Sequence, residues 1–252
     1  MLLGYGKTSF VELFLRFPGG RMATEQDVLD NHDKDLVVAG ISKRIVPNLA
    51  RARGLNWWSI DTGYMGNHQE KRYLRITKNG WQDTGPVVPR NDSRLRRLRI
   101  DRSRIRRGSR ILLVPPHPKV CLYYELGDYD AWIHQHLALI KQHTDRDVVI
   151  RHRPASRYDR QTSDRFIDVL QQDVNCVVVY NSNCAVESVI HGIPVVALGE
   201  SATAPLNQDI KDIDHLSELD SDQVEAWLRH LSFRQFNRRE IAAGVAWRLL
   251  HE

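Results

Sequence analysis

Cysteine is scarce in this chain of 252 residues: there are three, Cys121, Cys176 and Cys184. No two form a Cys-x-x-Cys pair, so neither a zinc ribbon nor a disulfide framework organises the fold, and reduced, buried thiols are expected. No apolar run approaches the ~18 residues of a membrane helix, so no membrane partner is expected. Met1-Leu2-Leu3-Gly4 has no basic stretch ahead of an apolar core, so no signal peptide is expected and the expected location is cytoplasmic. No acidic metal motif is read in the chain. No metal is therefore expected, and no cofactor is required. Gly4-Tyr5-Gly6-Lys7-Thr8 lacks the first glycine of a P-loop at its proper spacing and a full strand before it, which excludes an NTPase. Gly4 and Gly6 are still expected to line a ligand site, at a strand–helix turn where backbone must come close.

What is abundant is arginine, in one place. Ten of them lie between Arg90 and Arg110 (Arg90, Arg94, Arg96, Arg97, Arg99, Arg102, Arg104, Arg106, Arg107, Arg110) against two aspartates. That segment carries +8 in a chain whose net charge is +5, so the remainder is slightly acidic. Guanidinium forks bind phosphate bidentately, and a dense basic segment supplies the field that drives backbone binding. Arg94, Arg96, Arg97, Arg99, Arg102 and Arg104 are the expected nucleic-acid contacts. A solvated linker is the alternative. The overall balance, 42% hydrophobic and 27% charged, is that of a globular protein.

The hydrophobic pattern alternates between strand and helix. Leu2–Tyr5 is a short apolar start, and strands are expected at Leu36–Ile41, Trp57–Ile60, Tyr73–Thr77, Ile111–Val114 and Val148–Ile150. Helices are expected at Val11–Phe17, from Ser42 to Arg53, at Asp130–His143 and near Ser163–Gln172. Alternation of this kind argues for parallel sheets. The expected architecture is α/β: two Rossmann-like halves with parallel sheets facing a central cleft. The first half is 1–110, with 90–110 as its arginine-rich connector. The second is 111–235. Residues 236–252 read as an amphipathic helix packing back on the first half, with Ile241, Val245 and Leu249 in one stripe. A monomer is expected.

The last third is the most specific stretch. Cys176-Val177-Val178-Val179-Tyr180 stops at Asn181-Ser182-Asn183. A helix with Glu187 one turn in follows, Gly192 ends it, and Pro194 precedes a second apolar run to Gly199. Unpaired N–H groups at such a helix start can hold phosphate, and an acidic side chain one turn in can reach a ribose diol. The unit resembles the donor-nucleotide site of GT-B glycosyltransferases. That resemblance implies a nucleotide-sugar donor, most simply a UDP-sugar, bound by Asn181, Ser182, Asn183 and Glu187.

Arg151-His152-Arg153-Pro154 closes the preceding strand and resembles the His-Pro motif of capsule Kdo- and polysialyltransferases, with Arg153 intervening between His152 and Pro154. His152 is placed on the donor, and Arg151 and Arg153 on the leaving phosphate, where charge stabilisation is a large catalytic term. His117, in Pro115-Pro116-His117-Pro118, reads as part of a rigid wall. Asp61, at the end of the Trp57–Ile60 strand, is the candidate general base, with Asp33 and Asp35 behind it. The chain also resembles phage DNA glycosyltransferases. With the arginines, that implies a hexosyl- or pentosyltransferase acting on a hydroxymethylated pyrimidine in double-stranded DNA, the flipped base stacking on Trp57, Trp58, Tyr64 or Trp81. The alternatives are a capsule- or lipopolysaccharide-type transferase, a nucleotide-sugar epimerase, and a non-catalytic DNA-binding protein.

Overall fold

A computed structural model describes residues 1–6, 9–41, 44–66, 73–152 and 165–252. The chain divides into two compact units. The first comprises Met1–Asp83, Val88–Ile100 and Leu228–Glu252, the second Thr84–Val87 and Asp101–Trp227. The division therefore falls inside the arginine-rich segment.

In the first unit the strands are β1 (Leu2–Tyr5), β2 (Arg21–Ala23), β3 (Asp35–Ala39), β4 (Trp57–Thr62), β5 (Tyr73–Lys78) and β10 (Gln235–Asn237), in the order β10-β5-β4-β3-β1-β2. β2, β1, β3 and β4 are parallel, and Leu36, Val37 and Val38 in β3 are fully buried, as covering on both faces requires. β5 runs antiparallel to β4, and β10 antiparallel to β5, so this sheet is mixed rather than wholly parallel. The reason is length: residues 63–72 are fewer than the dozen or so that a parallel crossover takes. Asn79 fastens the pair. Its side-chain oxygen accepts from the Trp57 N–H (2.9 Å), and its own N–H donates to the Trp57 carbonyl (2.8 Å).

The C-terminal segment is not one helix. Phe236 pairs with Leu74 as a strand, Asn237 caps a short helix Arg238–Ala242 in a reciprocal box with Glu240, and Gly244 (φ +70°) separates it from Val245–Leu249. A side chain at Gly244 would stand 1.9 Å from the Phe17 ring, so the break is built into the packing. Ile241 is buried against Phe14 and Trp58, and the Trp247 ring lies 5.6 Å from Phe14 and 5.9 Å from Trp58. Trp57, Trp58, Tyr64 and Trp81 are all buried, with Trp57 edge-on to Trp81 at 5.1 Å. These aromatics are core, and none offers a face for a flipped base.

The second unit has one sheet: β6 (Arg110–Val114), β7 (Val148–Ile150), β8 (Val174–Val179) and β9 (Val195–Ala197), in the order β7-β6-β8-β9 and parallel throughout. Ile111, Leu112, Leu113 and Cys176–Val179 are completely buried, the continuous apolar signature of central parallel strands. The chain leaves β6 toward β7 and leaves β8 toward β9. The strand order therefore reverses between β6 and β8, and their carboxyl ends form a topological switch point.

Arg94 is a buried fastening in the first unit. It grips Glu240 with both terminal nitrogens (2.7 and 3.2 Å), and donates to the Ser232 and Gln235 carbonyls (2.9 and 2.8 Å). Arg94→Ala should cost about 3 kcal/mol, because Glu240 and two carbonyls lose their donor together. Exposed Arg97→Ala should cost under about 0.5 kcal/mol. Urea unfolding followed by tryptophan fluorescence checks both, and equal midpoints for the two variants would contradict the assignment.

Candidate functional site

Strand β7 ends at Ile150, and the Arg151 N–H continues its ladder by donating to the Leu113 carbonyl (2.9 Å). This places the Arg151 side chain at the carboxyl edge, beyond the strand ends. Its guanidinium lies 4.9 Å from the centre of the Phe166 ring and donates to the Cys184 sulfur (3.8 Å). Cys184 opens the helix Cys184–Ile190 that follows β8, so a side chain from β7 reaches across to the β8 loop.

The loop itself is ordered by its own polar groups. Asn181 is buried, and the Ser182 hydroxyl accepts from the Cys184 N–H (3.2 Å). The Asn183 side chain makes no cap bond. A donor expected to meet phosphate is thus already taken by Ser182, and positive charge at this edge comes from Arg151. Glu187, in the first turns of the helix, is half-buried. Burial raises its carboxyl above the usual carboxylate range, and the charges of His191 and Arg151 oppose that rise.

His152 is exposed, with Nδ1 3.3 Å from the Tyr129 hydroxyl. His117 caps the helix Pro118–Tyr124, its Nδ1 accepting from the Lys119 N–H (3.0 Å), which is a structural task. Arg153 lies outside the described residues. Three further side chains stand at this edge: Tyr180, which ends the apolar run of the motif, and Tyr124 and Glu200, which no motif singles out. The Tyr124 hydroxyl donates to Glu200, and its ring meets Tyr180 at 5.2 Å. The signal that could have found Glu200 is positional, since it follows the second apolar run just as Arg151 follows β7.

In the first unit, Gly4 and Gly6 separate in role. Gly4 is buried, and a side chain there would sit 2.4 Å from Leu15 and 2.5 Å from Val11, so it serves packing, not a ligand. Gly6 (φ +98°) stands just past β1, beside the point where that sheet reverses between β1 and β3. Asp61 forms an ion pair with Arg75 (3.1 Å) and accepts from the Thr62 N–H (2.7 Å). Arg75 is buried and also holds the Trp81 and Thr62 carbonyls. Asp61 thus fastens the β4–β5 pair.

The arginines of the segment differ in burial and in partners, and they are divided between the two units. Arg94 is buried, Arg96 pairs with Asp92 (2.7 Å) and Arg102 with Glu225, while Arg104 donates to the Ser221 hydroxyl (2.9 Å). Arg97 and Arg99 are exposed. Asp-x-Asp spacings do recur in the sequence, at 128/130 and 220/222 for example. Asp128 caps a helix, and Asp220 accepts from the Asp222 and Gln223 N–H groups. Among the described residues no three His, Cys, Asp or Glu side chains gather where they could hold a metal.

The fold is similar to that of two solved transferases from Thermosulfurimonas dismutans. One is the KpsC β-Kdo 2,4-transferase, with a TM-score of 0.54, 13% identity, and coverage of 98% of this chain and 98% of that one. The other is the KpsC β-Kdo 2,7-transferase, with a TM-score of 0.53, 15% identity, and coverage of 99% and 98%. The chain therefore has a compact GT-B-like α/β fold. No family model and no curated protein matches it.

Two outcomes follow from these contacts. Because the folded state holds the Glu187 proton more tightly than the unfolded chain does, stability should fall as pH rises from the ordinary carboxylate range through the raised value. Glu187→Gln removes that loss, so its melting temperature should match the wild type at low pH and exceed it above the transition. A difference that does not vary with pH would contradict the burial argument. Asp61→Asn should lower stability by about 1 kcal/mol, since Arg75 keeps its two carbonyl partners. It should leave turnover within a few-fold, and a fall of about 10²-fold or more would instead make Asp61 a general base.

Proposed function

We propose that the chain is a glycosyltransferase that binds a nucleotide-sugar donor at the carboxyl edge of the β6–β9 sheet. The observation that carries this reading is the placement of Arg151 at that edge: its guanidinium lies over the Phe166 ring and donates to Cys184 at the start of the helix Cys184–Ile190, whose first turns carry the half-buried Glu187. Binding beyond the carboxyl ends of parallel strands at a switch point is the general rule for open α/β sheets. The similarity to structures named as Kdo transferases supports the same reading.

In the reaction, an acceptor hydroxyl oxygen bonds to the anomeric carbon as the bond from that carbon to the phosphate oxygen breaks. The electron pair leaves with the nucleotide, and the acceptor hydroxyl's proton is released to solvent water. Arg151 neutralises the charge developing on that phosphate, and its stacking on Phe166 holds it ready without reorganisation. Glu187 accepts hydrogen bonds from the ribose hydroxyls, which recover part of the cost of its burial.

For the acceptor, a glycan hydroxyl is the better supported choice. The DNA reading depended on a continuous basic segment and exposed aromatic rings. In the structure Arg94 is buried, Arg96 and Arg102 carry acidic partners, and the four aromatics are core. The glycan reading is also supported by the names of the two similar structures.

The test is transfer itself: incubation with UDP- and CMP-activated sugars and, in parallel, with an acidic oligosaccharide or hydroxymethylated duplex DNA, followed by mass spectrometry. Mass gain on the oligosaccharide alone supports the proposal, and gain on the DNA alone reverses the acceptor choice. Arg151→Ala should lower turnover by about 10²-fold or more with the fold intact, and Glu187→Ala should weaken nucleotide binding by about 1.5–3 kcal/mol. Wild-type values in both variants would move the donor site elsewhere.

A further inference from the structure

The β8–β9 ladder runs on past the strands. The Leu198 N–H donates to the Val179 carbonyl (2.8 Å) and the Gly199 N–H to the Tyr180 carbonyl (3.1 Å). Tyr180 and Gly199 therefore stand level at the carboxyl edge, and Glu200 is the next residue outward. A side chain at Gly199 would lie 2.6 Å from the Tyr180 ring, so the glycine is what lets that ring lie against the backbone before Glu200.

Across the switch point, the helix Pro118–Tyr124 brings Tyr124 back from β6. Its ring meets Tyr180 at 5.2 Å and 67°, Tyr123 packs edge-on to it at 4.6 Å, and its hydroxyl donates to Glu200. Burial, together with the Glu200 charge, pushes the Tyr124 hydroxyl well above the usual tyrosine range, so it remains a donor. Three segments leaving three different strands thus converge to hold one half-buried carboxylate at the mouth of the edge.

An ionised carboxylate accepts hydrogen bonds only. Here it stands beside the half-buried Tyr124 and Tyr180 rings. Hydroxyl donors around an apolar ring face are the chemistry of a sugar. The position is also right for one. The Arg151 guanidinium sits at Cys184, in the segment leaving β8, and Glu200 is in the segment leaving β9, the strand paired with β8.

We propose that Glu200, braced by Tyr124, is the specificity-determining residue for the donor's sugar: it accepts hydrogen bonds from the sugar hydroxyls, with Tyr180 and Tyr124 as the wall against which the ring rests. This assignment rests on the donor reading above and adds to it the part of the site that distinguishes one sugar from another.

The experiment is calorimetric titration of the full chain with UDP, UDP-glucose, UDP-galactose, CMP and a CMP-activated sugar, in wild type, Glu200→Gln and Tyr124→Phe. In the wild type, at least one nucleotide sugar should bind more tightly than its free nucleotide, and the epimers glucose and galactose should differ. Glu200→Gln should bind free nucleotide within twofold of wild type but lose about tenfold of the sugar-dependent affinity, and the difference between epimers with it. Tyr124→Phe, which keeps the ring and removes the brace, should lose a smaller part of both. A merely structural pair would lower the melting temperature and leave epimer preference unchanged. If Glu200→Gln keeps both the sugar increment and the preference, the assignment is overturned while the donor reading stands. If Glu200→Gln does not fold, unchanged epimer preference in Tyr124→Phe overturns the assignment in its place. If wild type binds neither nucleotide nor nucleotide sugar, the donor reading fails and this assignment with it.

Discussion

The parallel pairing of β6 with β8 is the constraint on which the second unit depends. Ile111 to Val114 register with Cys176 to Val179, and these residues are buried on both faces. Polar side chains have no place along such strands, so they collect where the strands end. Arg151, Asn181, Glu187 and Glu200 all lie in segments that leave the same edge. A slip in the pairing register would displace the Asn181 and Gly199 loops together, because both continue a single ladder.

The same economy governs the charges. Arginine in this chain serves first as a fastener. Arg94 joins the segment after the first sheet to the C-terminal helices, Arg75 gathers Asp61 and two carbonyls, and Arg146 holds Asp214. A planar fork with five donors satisfies several carbonyls and a carboxylate at once, which a lysine cannot do. A run of such residues is therefore a weak sign of a polyanion surface until burial and partners are known. Arg151 is placed differently: it lies over the Phe166 ring and meets the Cys184 sulfur at a strand edge.

Sequence patterns carried the α/β class, most strand positions, and the strand–turn–helix–strand unit from Cys176 to Ala197, because each rests on local periodicity and on turn residues such as Gly192. They carried less of the direction of β5, which depends on the length of the connection before it, and less of the C-terminal segment, whose apolar stripe reads equally well with or without the break at Gly244. Asp61 resembled a cleft carboxylate because its partner, Arg75, lies fourteen residues on in the opposing strand, and a sequence does not display strand pairing.

What the amino-acid sequence determined by itself is local: where chains extend, where they coil, and which polar residues sit at the ends of apolar runs. These follow from side-chain sterics and from the burial that hydrophobic spacing demands. What only the tertiary structure decided is company. Tyr124 and Glu200 are separated by seventy-six residues yet share a proton donor and its acceptor, and Arg151 meets the start of a helix thirty-three residues on. Such meetings are fixed by strand order, β7-β6-β8-β9, because neighbouring strands lie about 4.8 Å apart whatever their distance along the chain.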